Sequence, residues 1–350
     1  MSTVTLIGAG QMASALTFPL FENGHEVRLV GSPLDGAVIA RLREDDWHIN
    51  LRRTLHAGVR YYACAQVREA LAGADLVVCG VSSFGVEWFA GEILPLLDED
   101  VPLISVTKGM LDLPDGEMLP YPAYWQSKLP EGSRLRLYAI GGPCTARDLA
   151  DHDPSFVAYC GPDFETLERI RRLFSTDYYI ISLTRDVVGL ECAVALKNGY
   201  ALATALALGM KEKLGADGID HNNMKSALFQ QSVREMMDLL RLVGGGPDNI
   251  VFAAGDLDVT VAAGRSRTVG LLLGKGLGID EVTERLKGQT LEAVVIARRT
   301  ARAVRALARR GAARESDFPL LMHVDALLAG ETPGPIPWKA FERRMGAAEG

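Results

Sequence analysis

The start of the chain carries the pattern that most restricts its fold. Residues 4–7 form a short, β-rich apolar run, and the turn sequence GAGQMA follows directly at residues 8–13, ahead of an apolar stretch that is compatible with a helix. A strand, a turn with glycines spaced as GxGxxA and a helix form the fingerprint of a dinucleotide-binding unit. Gly8 would permit the tight turn, and Gly10 would let a pyrophosphate approach the backbone.

Apolar segments alternate with helical ones through the first half of the chain. Further β-rich runs occur at residues 26–30, 61–64, 76–81, 103–106, 136–140, 156–160 and 178–182, and helical patterns occur at 67–71, 88–96 and 164–174. This alternation predicts an α/β fold with a mainly parallel, doubly wound sheet of the Rossmann type.

The pattern changes at Asp186. Amphipathic helical segments follow at residues 223–242, 266–273, 279–286, 291–310 and 318–328, and they predict an all-α second half. We therefore predict two domains, which are a dinucleotide-binding Rossmann domain at residues 1–185 and a helical substrate and catalytic domain at residues 186–350.

The predicted cofactor site lies where the strands of such a sheet end, because ligands of open α/β sheets bind at the carboxyl edge. Gln11 and Met12 at the helix start are predicted cofactor contacts, since the first N–H groups of a helix favour phosphate. Ser82 is a further predicted contact, because it follows the strand at residues 76–81.

The end of the second strand bears on the choice of cofactor. An acidic residue there would hold the ribose 2′-OH of NAD, but the chain has Gly31 and Ser32. This favours NADP, with Ser32, Arg41 or Arg43 placed to bind its 2′-phosphate. A plain turn that accepts either cofactor fits the sequence as well.

A later stretch, residues 186–210, is almost wholly small and apolar, which is typical of a helix buried on nearly all sides. It contains Lys197, and burying an ammonium without a partner is costly. Glu191 and Asn198 lie seven residues apart on nearly one stripe, with Lys197 about 100° round the helix axis, so the three side chains could face one cavity wall. A lysine that reaches the surface or pairs with a core carboxylate would explain the pattern equally well.

Two other clusters carry chemistry. Lys108 follows the strand at residues 103–106, at the expected ligand edge, although a solvated loop lysine is the alternative. Asp256 and Thr260 are four residues apart, so they share a helical face. Arg265 and Arg267 follow around a glycine and suit a phosphate near a helix start, unless they are ordinary surface charge.

Composition excludes several classes of protein. A net charge of -7 over 350 residues gives no electrostatic footprint for nucleic acid. Five scattered cysteines without metal-ligand spacing predict reduced thiols, no metal site and a cytoplasmic location. The N-terminus leaves no room for a signal peptide, and Lys197 interrupts the longest apolar run, so we expect no stable membrane insertion.

Taken together and in order, the clusters resemble the NAD(P)-dependent glycerol-3-phosphate dehydrogenase family, from about residue 3 to about residue 310. The resemblance is carried by the glycine turn with Gly8, Gly10 and Ala13, by Lys108 with Gly109, by Gly142 with Pro143, by Asp186, Gly189, Glu191, Lys197 and Asn198, and by Gly255, Asp256, Leu257 and Thr260.

The resemblance implies a function and a set of roles. The activity would be the reversible NAD(P)H-dependent reduction of dihydroxyacetone phosphate, a small phosphorylated substrate, to sn-glycerol 3-phosphate for lipid synthesis. The helical half would resemble the C-terminal domain of 6-phosphogluconate dehydrogenase, and the protein would be a homodimer. The implied catalytic residues are Lys197, Lys108, Asp256 and Thr260; the implied substrate contacts are Asn198, Arg265 and Ser266, with Arg265 and Lys108 also near the cofactor.

The sequence departs from the family pattern at several positions. Ser266 replaces an asparagine, Gln231 replaces an arginine, Ala293 replaces the glycine of a late loop, and residues 12–14 read Met-Ala-Ser in place of Trp-Gly-Thr. These changes leave open a related lysine-dependent reductase of another phosphorylated ketone, or a non-catalytic NAD(P)-binding sensor.

Overall fold

The computed structural model describes residues 1–215, 221–289, 291–331 and 334–342. The chain divides into two compact units, of which the first comprises Met1–Met110 and Leu119–Val194 and the second Leu111–Met118 and Ala195–Gly350. Because the helix Val187–Leu214 contributes residues to both units, the predicted domain boundary after residue 185 stays a prediction.

The first unit is built on an eight-stranded sheet. The described strands in chain order are β1 (Thr3–Ile7), β2 (Glu26–Val30), β3 (Trp47–His48), β4 (Arg53–Thr54), β5 (Arg60–Tyr62), β6 (Leu76–Cys79), β7 (Leu103–Ser105), β8 (Met110–Asp112), β9 (Met118–Pro120), β10 (Leu137–Gly141), β11 (Ser155–Cys160) and β12 (Tyr179–Thr184). The sheet order is β12-β11-β10-β7-β6-β1-β2-β5, while β3 with β4 and β8 with β9 form two-stranded sheets.

All neighbours in the large sheet are parallel except β10 and β11, which confirms the predicted mainly parallel sheet. The central strands are apolar runs because helices cover both faces, and every residue of β6 is buried. The strand order reverses between β1 and β6, and such a switch point opens a crevice at the carboxyl ends of the two strands. The glycine turn after β1 therefore lies where a Rossmann fold binds its ligand.

The helices that precede residue 187 are α1 (Gln11–Ala15), α2 (Thr17–Glu22), α3 (Gly36–Asp45), α4 (Val67–Leu71), α5 (Val86–Trp88), α6 (Tyr121–Gln126), α7 (Ala146–Ala150) and α8 (Phe164–Phe174). The helical segment predicted at residues 88–96 is helical throughout, but it is not one regular α-helix. Helix α5 continues as a π-helical turn at Phe89–Ile93 and a 3₁₀ turn at Leu94–Leu96, because Gly91 and Pro95 both weaken a regular α-helix.

The remaining helices are α9 (Val187–Leu214), α10 (Asn222–Leu242), α11 (Ile250–Ala262), α12 (Arg265–Gly274), α13 (Ile279–Arg285), α14 (Glu292–Arg309) and α15 (Pro319–Leu328). This confirms the predicted all-helical second half. Helix α9 is long and apolar enough to cross a membrane, contrary to the expectation that Lys197 would prevent it, but 83% of its most apolar window is buried. Burial of that kind is typical of a core helix.

Glycines bring α9 and α12 into backbone contact within the second unit. A Cβ atom at Gly270 would lie 2.2 Å from the carbonyl oxygen of Leu202, and one at Gly274 would lie 2.1 Å from that of Leu206. Only glycine permits so close an approach. The helix that carries Lys197 and the helix that begins at Arg265 are therefore held side by side.

Candidate active site and coenzyme turn

The turn after β1 requires glycine at its first position. Gly8 has a φ of 102°, and a Cβ atom there would lie 2.9 Å from backbone atoms of Gly80 and Val81. A Cβ at Gly80 would in turn lie 2.3 Å from the Cβ of Ala13. The small residues at these three positions let the end of β1, the end of β6 and the start of α1 meet closely.

Gly10 is the N-cap of α1 and has extended backbone angles. The first N–H groups of a helix have no acceptor in a preceding turn, so those of α1, which begins with Gln11 and Met12, suit a pyrophosphate. Gln11 is exposed and Met12 is half-buried. Because Gly8 and Gly10 carry no side chains over the turn, the turn leaves room for a pyrophosphate, and the predicted cofactor contacts stay a prediction.

Two side chains that the sequence did not single out hold the residue between those glycines. Asp35 Oδ2 accepts the N–H of Ala9 at 3.0 Å, and the ring Nε2 of His48 contacts the carbonyl oxygen of Ala9 at 3.0 Å. Neither contact has a local sequence signal, because the partners are 26 and 39 residues apart.

The residues proposed for the adenosine end of the cofactor already make contacts within the first unit. The hydroxyl of Ser32 donates to Asp35 Oδ2 at 2.6 Å. Arg41 pairs with Asp45, and Arg43 donates to the carbonyl oxygen of Tyr61 and to Gln66. Ser82 is exposed and begins the turn after β6. The predicted preference for NADP stays a prediction.

Lys108 follows β7 at the carboxyl edge of the sheet. Its Nζ donates to the carbonyl oxygen of Gly142 at 2.8 Å, and the side chain is half-buried. The preceding Thr107 donates to the carbonyl oxygen of Val81 at 2.7 Å. The loop that carries Lys108 is thereby tied to the loops after β6 and β10, so Lys108 is not a loosely solvated loop lysine.

Glu191 is a buried carboxyl group in the first unit. Its exposed fraction is 1%, and neither carboxylate oxygen has a hydrogen-bond partner among the residues that the structure describes. Burial raises its pKa from 4.5 to about 8, although the positive charge of Lys108 opposes that rise. Glu191 makes no hydrogen bond to Lys197 or Asn198, and the predicted common wall for the three side chains stays a prediction.

Replacing Glu191 with glutamine is expected to stabilise the protein more at alkaline pH than at acidic pH. A carboxyl group whose pKa is raised in the folded state takes up a proton on folding, so the wild type loses about 1.4 kcal/mol of stability per pH unit between its ordinary pKa and the raised one. Denaturant unfolding at about pH 5 and about pH 8 measures the difference. An equal effect at both pH values would contradict the raised pKa.

In the second unit, Lys197 on α9 forms an ion pair and hydrogen bond with Asp256 on α11. The lysine side chain is 13% exposed and that of Asp256 is 1% exposed. The pair confirms that the buried lysine has a carboxylate partner, while the remaining exposure leaves the ammonium within reach of a ligand. Thr260, one turn further along α11, donates to the backbone oxygen of Asp256 at 2.6 Å.

Two of the predicted substrate contacts, Ser266 and Asn198, meet in the second unit. The hydroxyl of Ser266 donates to the amide oxygen of Asn198 at 3.4 Å, so α12 and α9 are joined beside Lys197. Gly264 caps α12 with a φ of 105°, and Arg265 begins the helix as an exposed side chain. Arg265 therefore stands at a helix start, where the backbone N–H groups add to its attraction for an anion.

Comparison with known proteins agrees with this geometry. The model of the N-terminal domain of NAD-dependent glycerol-3-phosphate dehydrogenase matches residues 3–164, and the model of its C-terminal domain matches residues 186–334. The chain belongs to this family. Its members are oxidoreductases that use NAD or NADP.

Individual relatives agree with the family match. The NADP(+)-dependent glycerol-3-phosphate dehydrogenase of Archaeoglobus fulgidus is 34% identical over 81% of this chain and 83% of its own length. The glycerol-3-phosphate dehydrogenase [NAD(P)+] of Shouchella clausii is 28% identical over 99% of this chain and 96% of its own. The crystal structure of the glycerol-3-phosphate dehydrogenase of Coxiella burnetii has the same fold, with a TM-score of 0.78 at 22% identity over 97% of each chain.

Gln231, one of the departures from the family pattern, has a structural role. Gln231 is buried and donates to Glu235 at 2.8 Å. Glu235 also accepts the hydroxyl of Tyr200 and the N–H groups of Leu320 and Leu321 at the start of α15. Burial raises the pKa of Glu235 to about 7, and these hydrogen bonds oppose the rise. The glutamine therefore belongs to a polar network that joins α9, α10 and α15.

The other departures are smaller. Ala293 is buried in the first turn of α14, and Met12 is half-buried in the turn of α1. Within the described ranges, no three His, Cys, Asp or Glu side chains are grouped to hold a metal ion. All five cysteines lie in the described residues and carry thiols.

Proposed function

We propose that the protein reduces dihydroxyacetone phosphate to sn-glycerol 3-phosphate, reversibly and with NADH or NADPH, and so supplies glycerol phosphate for lipid synthesis. The observation that carries the proposal is the Lys197–Asp256 ion pair next to the Asn198–Ser266 contact in the second unit. Membership of the glycerol-3-phosphate dehydrogenase family supports the same reaction.

Lys197 is the proposed proton donor. A nicotinamide coenzyme, when bound, would supply the hydride that reduces the ketone carbon. Negative charge then develops on the ketone oxygen, and a positioned ammonium stabilises that charge and transfers a proton to it. In the oxidative direction the neutral amine of Lys197 accepts the hydroxyl proton. Asp256, buried against Lys197, orients the ammonium.

The other residues orient the substrate in this proposal. Asn198 and Arg265 hold the phosphate, and Ser266 fixes the amide of Asn198 through the hydroxyl contact. Lys108, whose ammonium donates to the Gly142 carbonyl within the first unit, keeps its proposed catalytic role. Thr260 supports Asp256, because its hydroxyl donates to the backbone oxygen of Asp256 and so fixes the turn of α11 that carries the carboxylate.

The test of the function is a spectrophotometric assay that follows oxidation of NADPH and of NADH with dihydroxyacetone phosphate. Oxidation that depends on the substrate supports the reaction, and the ratio of kcat/KM for the two coenzymes tests the proposed preference for NADP. A protein that binds either coenzyme by fluorescence but oxidises neither would contradict the reaction. Oxidation with a larger phosphorylated ketone alone would indicate a related reductase.

Replacing Arg265 with alanine is expected to lower kcat/KM for dihydroxyacetone phosphate by about 2 kcal/mol, or roughly thirtyfold, because a guanidinium bond to phosphate is charge-assisted. The kcat/KM for the unphosphorylated analogue dihydroxyacetone should fall much less. Arg285→Ala, which removes another exposed arginine of the second unit, is the matched control. Equal losses with both substrates would argue against a phosphate contact.

We also propose that the protein is a homodimer in the cytoplasm. Analogy with the family supports the homodimer, and the five thiols support a reducing compartment. Sedimentation of the purified chain, which would give a dimer mass independent of concentration in the micromolar range, tests the oligomeric state. A monomer under those conditions would contradict it.

A further inference from the structure

The peptide groups of Ala9 are held from both sides by side chains outside the glycine turn. The N–H of Ala9 donates to Asp35 Oδ2 at 3.0 Å, and its carbonyl oxygen lies 3.0 Å from His48 Nε2. Asp35 precedes α3, whereas His48 belongs to the small β3–β4 sheet. Two separate segments of the chain therefore determine the orientation of the residue between Gly8 and Gly10.

The contacts of His48 determine which ring nitrogen carries the proton. The backbone N–H of Leu51 donates to Nδ1 at 3.0 Å, so Nδ1 is an acceptor and Nε2 carries the hydrogen that is donated to Ala9. The ring is fully buried, and burial lowers its pKa. His48 is thus a neutral imidazole, fixed in one tautomer by its two hydrogen bonds.

Asp35 is held as firmly as His48. The same Oδ2 atom accepts the N–H of Ser32 at 2.8 Å and its hydroxyl at 2.6 Å, in addition to the N–H of Ala9. Because the Ala9 N–H is directed to Asp35, it does not point to a phosphate. The backbone donors left for a pyrophosphate are those of Gly10 and of the first residues of α1.

We propose that Asp35 and His48 are positioning residues for the coenzyme, which orient the Ala9 peptide so that Gly10 and the start of α1 face the pyrophosphate. The inference rests on the proposed function, since it requires a dinucleotide at this turn. Neither residue touches the reacting atoms in this proposal. Their effect is therefore on coenzyme affinity rather than on the hydride transfer.

The physical reason is the flexibility of the turn itself. A sequence with two glycines in three residues has many accessible backbone conformations, and a ligand that must select one of them loses affinity in proportion. Hydrogen bonds to both sides of the Ala9 peptide remove most of that freedom before the ligand arrives. Fixing the turn in this way would increase affinity without any additional contact to the coenzyme.

Asp35→Ala tests the first half of the pair. Loss of a charge-assisted hydrogen bond is expected to raise the Kd and the KM for NADPH or NADH about tenfold or more. The kcat at saturating coenzyme and the KM for dihydroxyacetone phosphate should stay within about twofold, because no contact to the substrate changes. Asp100→Ala, which removes an exposed aspartate of the first unit paired with Arg134, is the matched control.

Two further variants keep the test decisive. Asp35→Asn retains an acceptor oxygen for Ala9 and should recover most of the affinity, a result that a general loss of stability would not give. His48→Phe preserves the ring volume but removes both hydrogen bonds. It should lower the affinity for the coenzyme as Asp35→Ala does, whereas His25→Phe should leave that affinity unchanged. If Asp35→Ala fails to fold, these two variants carry the comparison.

The outcomes separate this inference from the function on which it rests. If the wild type itself does not change the fluorescence of NADH or NADPH, the proposed function fails. If the wild type binds and the folded Asp35→Ala and His48→Phe variants bind equally well, the positioning role is wrong. A loss of kcat at saturating coenzyme, with an unchanged coenzyme Kd, would also overturn it.

Discussion

Replacing Lys197 with methionine is expected to lower kcat for dihydroxyacetone phosphate by about a thousandfold or more, because both the proton donor and the local positive charge are lost. Methionine keeps most of the buried volume, but Asp256 loses its ammonium partner and stability should fall, so circular dichroism must first show that the variant is folded. The coenzyme Kd should stay within about twofold, since the predicted coenzyme contacts of the glycine turn belong to the first unit. Steady-state kinetics and coenzyme fluorescence measure the two quantities.

Lys211→Met is the control for this variant, because Lys211 is an exposed lysine on the same helix. Its kcat should match that of the wild type. A Lys197→Met variant that keeps more than about a tenth of the wild-type rate would remove Lys197 from the chemistry. The pair with Asp256 would then be a structural ion pair of the core.

Gly8→Ala is expected to raise the Kd for the coenzyme by about a hundredfold or more. The added Cβ would lie 2.9 Å from the backbone of Gly80 and Val81, and no flexible side chain can move aside there. The φ of 102° is also unfavourable for alanine. The end of β1 and the end of β6 must separate, and the turn between them must then change shape.

Gly24→Ala separates the two causes. Gly24 also has a positive φ, of 79°, but a Cβ atom there would meet nothing within 4 Å. The Gly24→Ala substitution should therefore lower stability by about 1 to 2 kcal/mol through backbone strain alone and leave the coenzyme Kd unchanged. If Gly8→Ala binds coenzyme as tightly as Gly24→Ala does, the close approach at Gly80 has no role in binding.

Local patterns in the sequence were enough to predict the Rossmann half of the fold. The strand at Glu26–Val30 and the helix at Phe164–Phe174 have the predicted bounds, because apolar periodicity is a property of neighbouring residues. The helix at Gly36–Asp45 was not predicted. Its few buried residues give a weak apolar stripe between charged positions.

The chemistry of the site was predicted only in part. A lysine inside an apolar helix indicated that Lys197 needs a partner, but that reasoning left a surface position and a core carboxylate equally open. Asp256 is its partner because the fold brings this carboxylate, which lies on the buried face of α11, to the ammonium on α9. Contacts between residues 59 positions apart depend on how helices pack, which no short pattern records.

The sequence by itself determined the eight strands of the large sheet, the glycine turn and the buried lysine, since backbone propensity and hydrophobic periodicity are local. Only the tertiary structure decided which distant polar groups meet. One example is the pair of hydrogen bonds from Asp35 and His48 to Ala9. Another is the set of four hydrogen bonds that Glu235 accepts, from Tyr200, Gln231, Leu320 and Leu321. A buried polar group must find a partner wherever packing leaves one, and that position is set by the whole fold.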